Sequence, residues 1–208
     1  MLMTMKAKNE AMRALAYVVA MHLDLARHHS RPAIRQTHQA RVDLLIPVVK
    51  GWSTEIGIEI ASLGVQVHGG MGYVEESGAC QHLRDARITT IYEGTTGIQA
   101  ADLAGRKLNM DKGAAMRTLI AEIEATAETL DPIPGDDMAV IRDGLRDGVR
   151  ALTEATERML SCGDPNQDDG GIGGLYDAGR HRLRWLANGS RRASGPEQAD
   201  DRRGFAVP

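Results

Sequence analysis

Residues 65–103 read VQVHGGMGYVEESGACQHLRDARITTIYEGTTGIQAADL, and the rest of the chain is organised around them. Two glycine turns, Gly69-Gly70-Met71-Gly72 and Gly94-Thr95-Thr96-Gly97, punctuate the stretch, and one carboxylate, Glu93, stands directly before the second. Glycine this dense between apolar helical patterns serves a positive φ or a close backbone approach. Everything outside the stretch reads as helix or as irregular tail.

Of the 208 residues 42% are hydrophobic but only 3% aromatic, so Leu, Ile, Val, Met and Ala must build the core. That palette suits helix-on-helix packing, because straight-chain residues lose little rotamer freedom in a helix. A formal net charge of -3 gives no electrostatic case for binding nucleic acid or an anionic membrane. The longest apolar run, 14–21, is too short to cross a bilayer, and no signal-peptide pattern follows Met1. Cys80 and Cys162 lie far apart without metal or disulfide spacing, which leads us to expect a reducing, cytoplasmic location. His28 and His29 are adjacent and diverge on a helix, so metal binding is not expected.

Apolar residues at three- and four-residue steps predict a helix over about 3–29, closed by Pro32. A second helix is expected over about 33–67, with Val42, Leu45, Val49, Trp52, Ile56, Leu63 and Val67 inward and a kink at Pro47. A short helix over 77–84 should end at Asp85, which we expect to pair with Arg84 and Arg87. Residues 87–92 then read as an extended connector. A third long helix is expected from Thr95, carrying Ile98, Ala101, Leu103 and Leu108. Asp111 should cap the next, with Met116, Leu119, Ile123, Ala127 and Leu130 inward. Past the turn 131–135, residues 136–160 place Met138, Ile141, Leu145, Val149, Leu152, Thr156 and Met159 on one face. The expectation is an all-α, up-and-down helical bundle over 1–110, an additional helical pair over 111–162, and an irregular tail over 163–208, disordered from about 188.

Taken singly, the chemical signals have bland readings. A glycine turn between helices is usually a tight connection, and a helix-terminal histidine such as His68 commonly bonds a carbonyl. Glu93 gains interest from its setting between Ile91-Tyr92 and Gly94-Thr95 at a helix start. Free N–H groups there suit phosphate or a developing oxyanion. A carboxylate walled by Ile91 and Tyr92 would be partly desolvated, as a carbon-acid base requires. Spacing alone leaves α-proton abstraction and simple anion binding both open.

The run from Gly64 to Tyr73, then Arg84-Asp85-Ala86-Arg87-Ile88, then Ile91-Tyr92-Glu93-Gly94-Thr95 with Ile98-Gln99 following, resembles the carboxy-terminal helical domain of acyl-CoA dehydrogenases. The text from Lys50 to Glu55 is most similar to the larger bacterial subgroup that includes 3-methylmercaptopropionyl-CoA dehydrogenase. The resemblance covers about residues 1–162 and implies a flavoprotein using FAD on an acyl-CoA thioester. By it, Glu93 takes the α-proton, the Glu93 N–H polarises the thioester carbonyl, and Tyr92 and Gly94 line the substrate site. Gln66, Val67, His68, Gly69 and Gly70 would contact the FAD of a neighbouring subunit, and Thr95, Thr96 and Gly97 the FAD bound locally. Homo-oligomers and electron transfer to electron-transferring flavoprotein are implied as well.

The chain departs from the family pattern. Gly97 replaces a frequent Gln, the segments preceding this domain in the family are missing, and the tail after Cys162 is rich in Arg, Asp and Gly. We expect from this a truncated gene with a frame shift near Asn166, and weak or no activity alone. The rival reading is a non-catalytic helical module that assembles with a full-length flavoprotein paralogue.

Overall fold

In the computed structural model, residues 1–161 are described, and the expectations for Cys162 and the tail lie outside them. Among the described residues seven α-helices run in chain order: α1 Leu2–His28, α2 Pro32–Val67, α3 Gly70–Tyr73, α4 Ala79–Arg87, α5 Thr96–Ala101, α6 Ala114–Thr129 and α7 Asp136–Ser161. No strand occurs among the described residues, and the fold is the expected all-α bundle.

The 36-residue α2 is the axis, in contact with α1, α3, α4, α5 and α6. Pro32 opens it at a position where a missing N–H costs nothing. The helix continues through the buried Pro47 without a break, since packing on several sides outweighs the one lost hydrogen bond. Val67, expected inward, is 40% exposed.

The main core cluster joins Leu44 of α2 to Leu103, Leu108, Met116 and Ile120, with Val149, Leu152, Met159 and Leu160 of α7 packed against it. Leu103 and Leu108 are five residues apart, a spacing that regular α geometry would rotate by about 140°. A π-helical segment over Asp102–Lys107 resolves this: the Leu108 N–H donates to the Leu103 carbonyl at 3.0 Å, and both side chains turn inward. Gly113, not the expected Asp111, is the N-cap of α6; Asp111, two residues earlier, accepts from the Ala115 N–H of the first turn at 2.8 Å.

Several local expectations are corrected. Asp85 does not end α4, which continues to Arg87, and residues 88–90 form a 3-10 turn instead of an extended connector. Helical closure wins over β propensity because the Ile91 and Tyr92 N–H groups both bond the Ile88 carbonyl and no strand is available to pair with. Asp85 accepts from Gln81, Arg84 reaches Glu75 and Gln81, and Arg87 donates to Thr90, so the expected Asp85–arginine cluster does not form. Ile98 and Ile141 lie on the outer faces of their helices, 49% and 51% exposed.

A polar contact joins three helices. The Arg41 guanidinium, nearly buried, makes two bonds of 2.9 and 2.7 Å to Glu122 of α6. Beside it, His22 of α1 and His38 of α2 bring their Nδ1 atoms within 2.7 Å. One ring must donate and the other accept, so the facing nitrogens hold one proton between them. Burial, then His38 and Arg41, lower the pKa of His22, and Glu122 opposes them. A histidine depressed in the fold takes up its proton first in the unfolded chain, so stability is intact above the ordinary value of about 6.5 and falls as pH drops from there towards the folded value. Urea titrations across this window should show that loss in the native chain, and His22→Leu should flatten the pH dependence.

Candidate functional site

The two groups of motif residues lie against different regions of α2. Gln66, Val67 and His68 end the helix, and all three are exposed along with Gly69 and Gly70. The His68 Nδ1–H donates to the Gly64 carbonyl at 2.9 Å, which leaves Nε2 unengaged by that bond. Gly69 takes φ 62°, reversing the chain so that α3 folds back on α2. Gly72 is the glycine this turn cannot replace: a Cβ there would stand 2.1 Å from the Val65 carbonyl oxygen and 2.9 Å from His68 Cβ. At Gly70 a Cβ would meet nothing within 4 Å.

The second group forms the junction between α4 and α5. Thr95 caps α5, its Oγ1 accepting from the Ile98 N–H at 3.2 Å, and Thr96 Oγ1 donates to Glu55 of α2 at 2.8 Å. Glu93 and Gly94 are consecutive positive-φ residues, at 51° and 91°. A Cβ at Gly94 would lie 2.7 Å from Gln99 Nε2, the movable end of a side chain, so it is the φ of 91° that requires glycine. The expected desolvating wall is not built by these residues: Glu93 is exposed, and Ile91 and Tyr92 are 49% and 48% exposed. Gly97 is half-buried in the first turn of α5.

The loop is fastened by a residue to which the motif reading gave no role. Lys50, near the middle of α2, donates to the carbonyls of Thr89, Tyr92 and Gly94 at 2.9, 3.0 and 2.6 Å, and its Nζ lies 5.7 Å from the Tyr92 ring centroid. One residue on, Gly51 is buried where α5 crosses, with Gln99 Cβ 3.6 Å from where a side chain would begin. Nothing in residues 48–54 marks Lys50 in advance, because its partners are main-chain carbonyls about forty positions away.

Glu55, which Thr96 touches, and Lys50, which holds the Glu93 loop, stand eleven and sixteen helical steps from Gln66, or about 17 and 24 Å at 1.5 Å per residue. One copy of the chain therefore does not bring the two motif groups together. A cavity of about 430 Å³ lies nearer the first group, lined by Met5, Ala61, Gly64, His68, Ser77 and His82 among others, and does not include Glu93.

Residues 1–108 match the family model described as the acyl-CoA dehydrogenase C-terminal domain. The chain belongs to the acyl-CoA dehydrogenase family. It is 44% identical over 80% of its length to 3-methylmercaptopropionyl-CoA dehydrogenase of Ruegeria pomeroyi, covering 28% of that protein. A butyryl-CoA dehydrogenase of Syntrophomonas wolfei is 33% identical over 69% of the chain, which covers 24% of it. A broad-specificity linear acyl-CoA dehydrogenase of Mycobacterium tuberculosis is 37% identical over 89% of the chain, 30% of its own length. The chain thus spans less than a third of these acyl-CoA dehydrogenases. No helix among the described residues is long and apolar enough to cross a membrane.

The family's glycine turn carries a direct test. Gly72→Ala should lower unfolding stability by about 2 kcal/mol through overpacking against the last turn of α2, whereas Gly70→Ala should stay within about 0.5 kcal/mol of the native chain, both read from urea midpoints.

Proposed function

We propose that this chain supplies the base and two flavin-facing segments of an FAD-dependent acyl-CoA dehydrogenase that oxidises an acyl-CoA thioester to the 2-enoyl-CoA. The observation that carries the reading is the position of Glu93, on a glycine-backed loop at the capped start of α5. Its carboxylate takes the α-proton of the thioester. The Glu93 N–H donates to the thioester carbonyl, where charge develops as that proton leaves. Gly94 keeps the approach free of side-chain bulk, and Tyr92 borders the same opening.

The residues present fit FAD. Gly69 and Gly70 offer exposed backbone, Gln66 an exposed amide, and Thr95 a hydroxyl that still has its own proton to donate after accepting from Ile98. FAD, when bound, supplies the acceptor for the hydride leaving the β-carbon. The roughly 17 Å along α2 between Glu55, which Thr96 contacts, and Gln66 favours a homo-oligomer in which Gln66, Val67, His68, Gly69 and Gly70 serve the cofactor of one subunit and Thr95, Thr96 and Gly97 that of another. Electron-transferring flavoprotein is the proposed electron acceptor, and residues 1–110 the unit that carries these motifs.

Exposure of Glu93 supports a further part of the reading: its desolvating cover comes from polypeptide other than the described residues. The isolated chain should therefore show little or no turnover with octanoyl-CoA, FAD and ferricenium. Placed in the R. pomeroyi enzyme in exchange for the matching segment, it should support turnover of 3-methylmercaptopropionyl-CoA. Glu93→Gln in that chimera should reduce the rate by about 10²- to 10⁴-fold. An active chimera indifferent to Glu93→Gln would remove the base from this position. The exposed Ile88, Ile91, Tyr92 and Ile98 around the loop also favour the second reading, a module that docks on a flavoprotein paralogue, whose sign is a yellow partner co-purifying with the chain.

A further inference from the structure

We propose that Lys50 is a positioning residue for the Glu93 N–H: its ammonium fixes and polarises the Tyr92–Glu93 peptide, so that this N–H is held in place and strengthened as a donor to the thioester oxygen. The inference rests on the reading of Glu93 given above and adds a residue to it.

A lysine ammonium has three donors and no acceptor, and here every donor ends on a carbonyl of the same short loop: Gly94 at 2.6 Å, Thr89 at 2.9 Å and Tyr92 at 3.0 Å. No carboxylate forms an ion pair with Lys50 among the described residues, so its charge is directed at these peptide dipoles. Two consequences follow from which carbonyls are taken.

First, the Tyr92 carbonyl and the Glu93 N–H belong to one peptide unit. Drawing electron density onto the carbonyl oxygen leaves the N–H more positive, the cooperative strengthening that chained hydrogen bonds show. Ammonium-to-carbonyl bonds are charge-assisted and stronger than bonds between neutral groups, so the polarisation exceeds what a backbone turn supplies. Second, the Tyr92 and Gly94 carbonyls bracket the two positive-φ residues Glu93 and Gly94. Glu93 at φ 51° is a conformation that a non-glycine residue keeps only when its surroundings hold it. Lys50 grips the chain on both sides of that residue, from the rigid middle of α2, and this fixes the direction in which the N–H points.

The test uses the full chain labelled with ¹³C and ¹⁵N, without substrate or cofactor, and carbon-detected NMR. All spectra are taken at one neutral pH. In Lys50→Met the Tyr92 carbonyl carbon and the Glu93 amide nitrogen should both move upfield of their native positions, while the resonances of α6 and α7 stay in place; Lys50→Arg, which keeps a cation, should recover part of both shifts. A mere anchor would broaden the loop resonances without this paired displacement of one peptide. Should Lys50→Met fail to fold, the scalar coupling across the hydrogen bond from Lys50 Nζ to the Tyr92 carbonyl carbon in the native chain decides alone. An absent coupling, or a folded Lys50→Met whose Tyr92 carbonyl and Glu93 amide resonances do not move, overturns the proposal and leaves Glu93 to be judged by the chimera. A Lys50-dependent peptide together with a chimera indifferent to Glu93→Gln overturns instead the reading on which the proposal rests.

Discussion

Three backbone carbonyls converging on the Lys50 ammonium hold the loop that carries Glu93. That loop has neither a ladder nor an unbroken helix to support it, since it runs from the 3-10 turn at Ile88–Thr90 through two positive-φ residues to the cap of α5. Its backbone groups need partners wherever water is excluded, and α2 supplies them from one side chain. The Thr96–Glu55 bond secures the far end.

The length of α2 then governs how the motifs can be used. A shorter axial helix would bring the Gln66–Gly70 turn near Glu93, within one copy of the chain. At 36 residues it carries the two groups to separate regions, with α4 and the α4–α5 junction linking them on the surface. The glycines divide their work accordingly. Gly72 is required by a contact under 3 Å against backbone, and Gly94 by its φ of 91°. Gly70 meets nothing, and its bareness serves an external contact or none.

Around this axis the bundle is closed by two different kinds of packing. The cluster of Leu44, Leu103, Leu108, Met116 and Ile120 is apolar and joins residues on both sides of position 110. The Arg41–Glu122 pair, within one turn of Leu44 on α2 and of Ile120 on α6, and the His22–His38 contact, which adds α1, fasten the helices through polar groups. An apolar cluster tolerates a change of pH; two imidazoles sharing one proton do not.

Helical periodicity was legible along most of the chain because the apolar residues recur at steps of three and four, and the family motifs were legible because they are short runs of adjacent residues. The sequence by itself determined an all-α bundle, a helix start at Thr95, and the family to which the chain belongs. Tertiary structure decided what depends on partners distant in the chain. Thr89, Tyr92 and Gly94 take a lysine some forty positions earlier, the π-helical turn brings Leu103 and Leu108 to one face, and Val67, Ile98 and Ile141 stay exposed where no neighbour covers them. Local propensity sees only a residue's neighbours in sequence, whereas a lysine's donors and an isoleucine's burial are set by whichever helix happens to lie opposite.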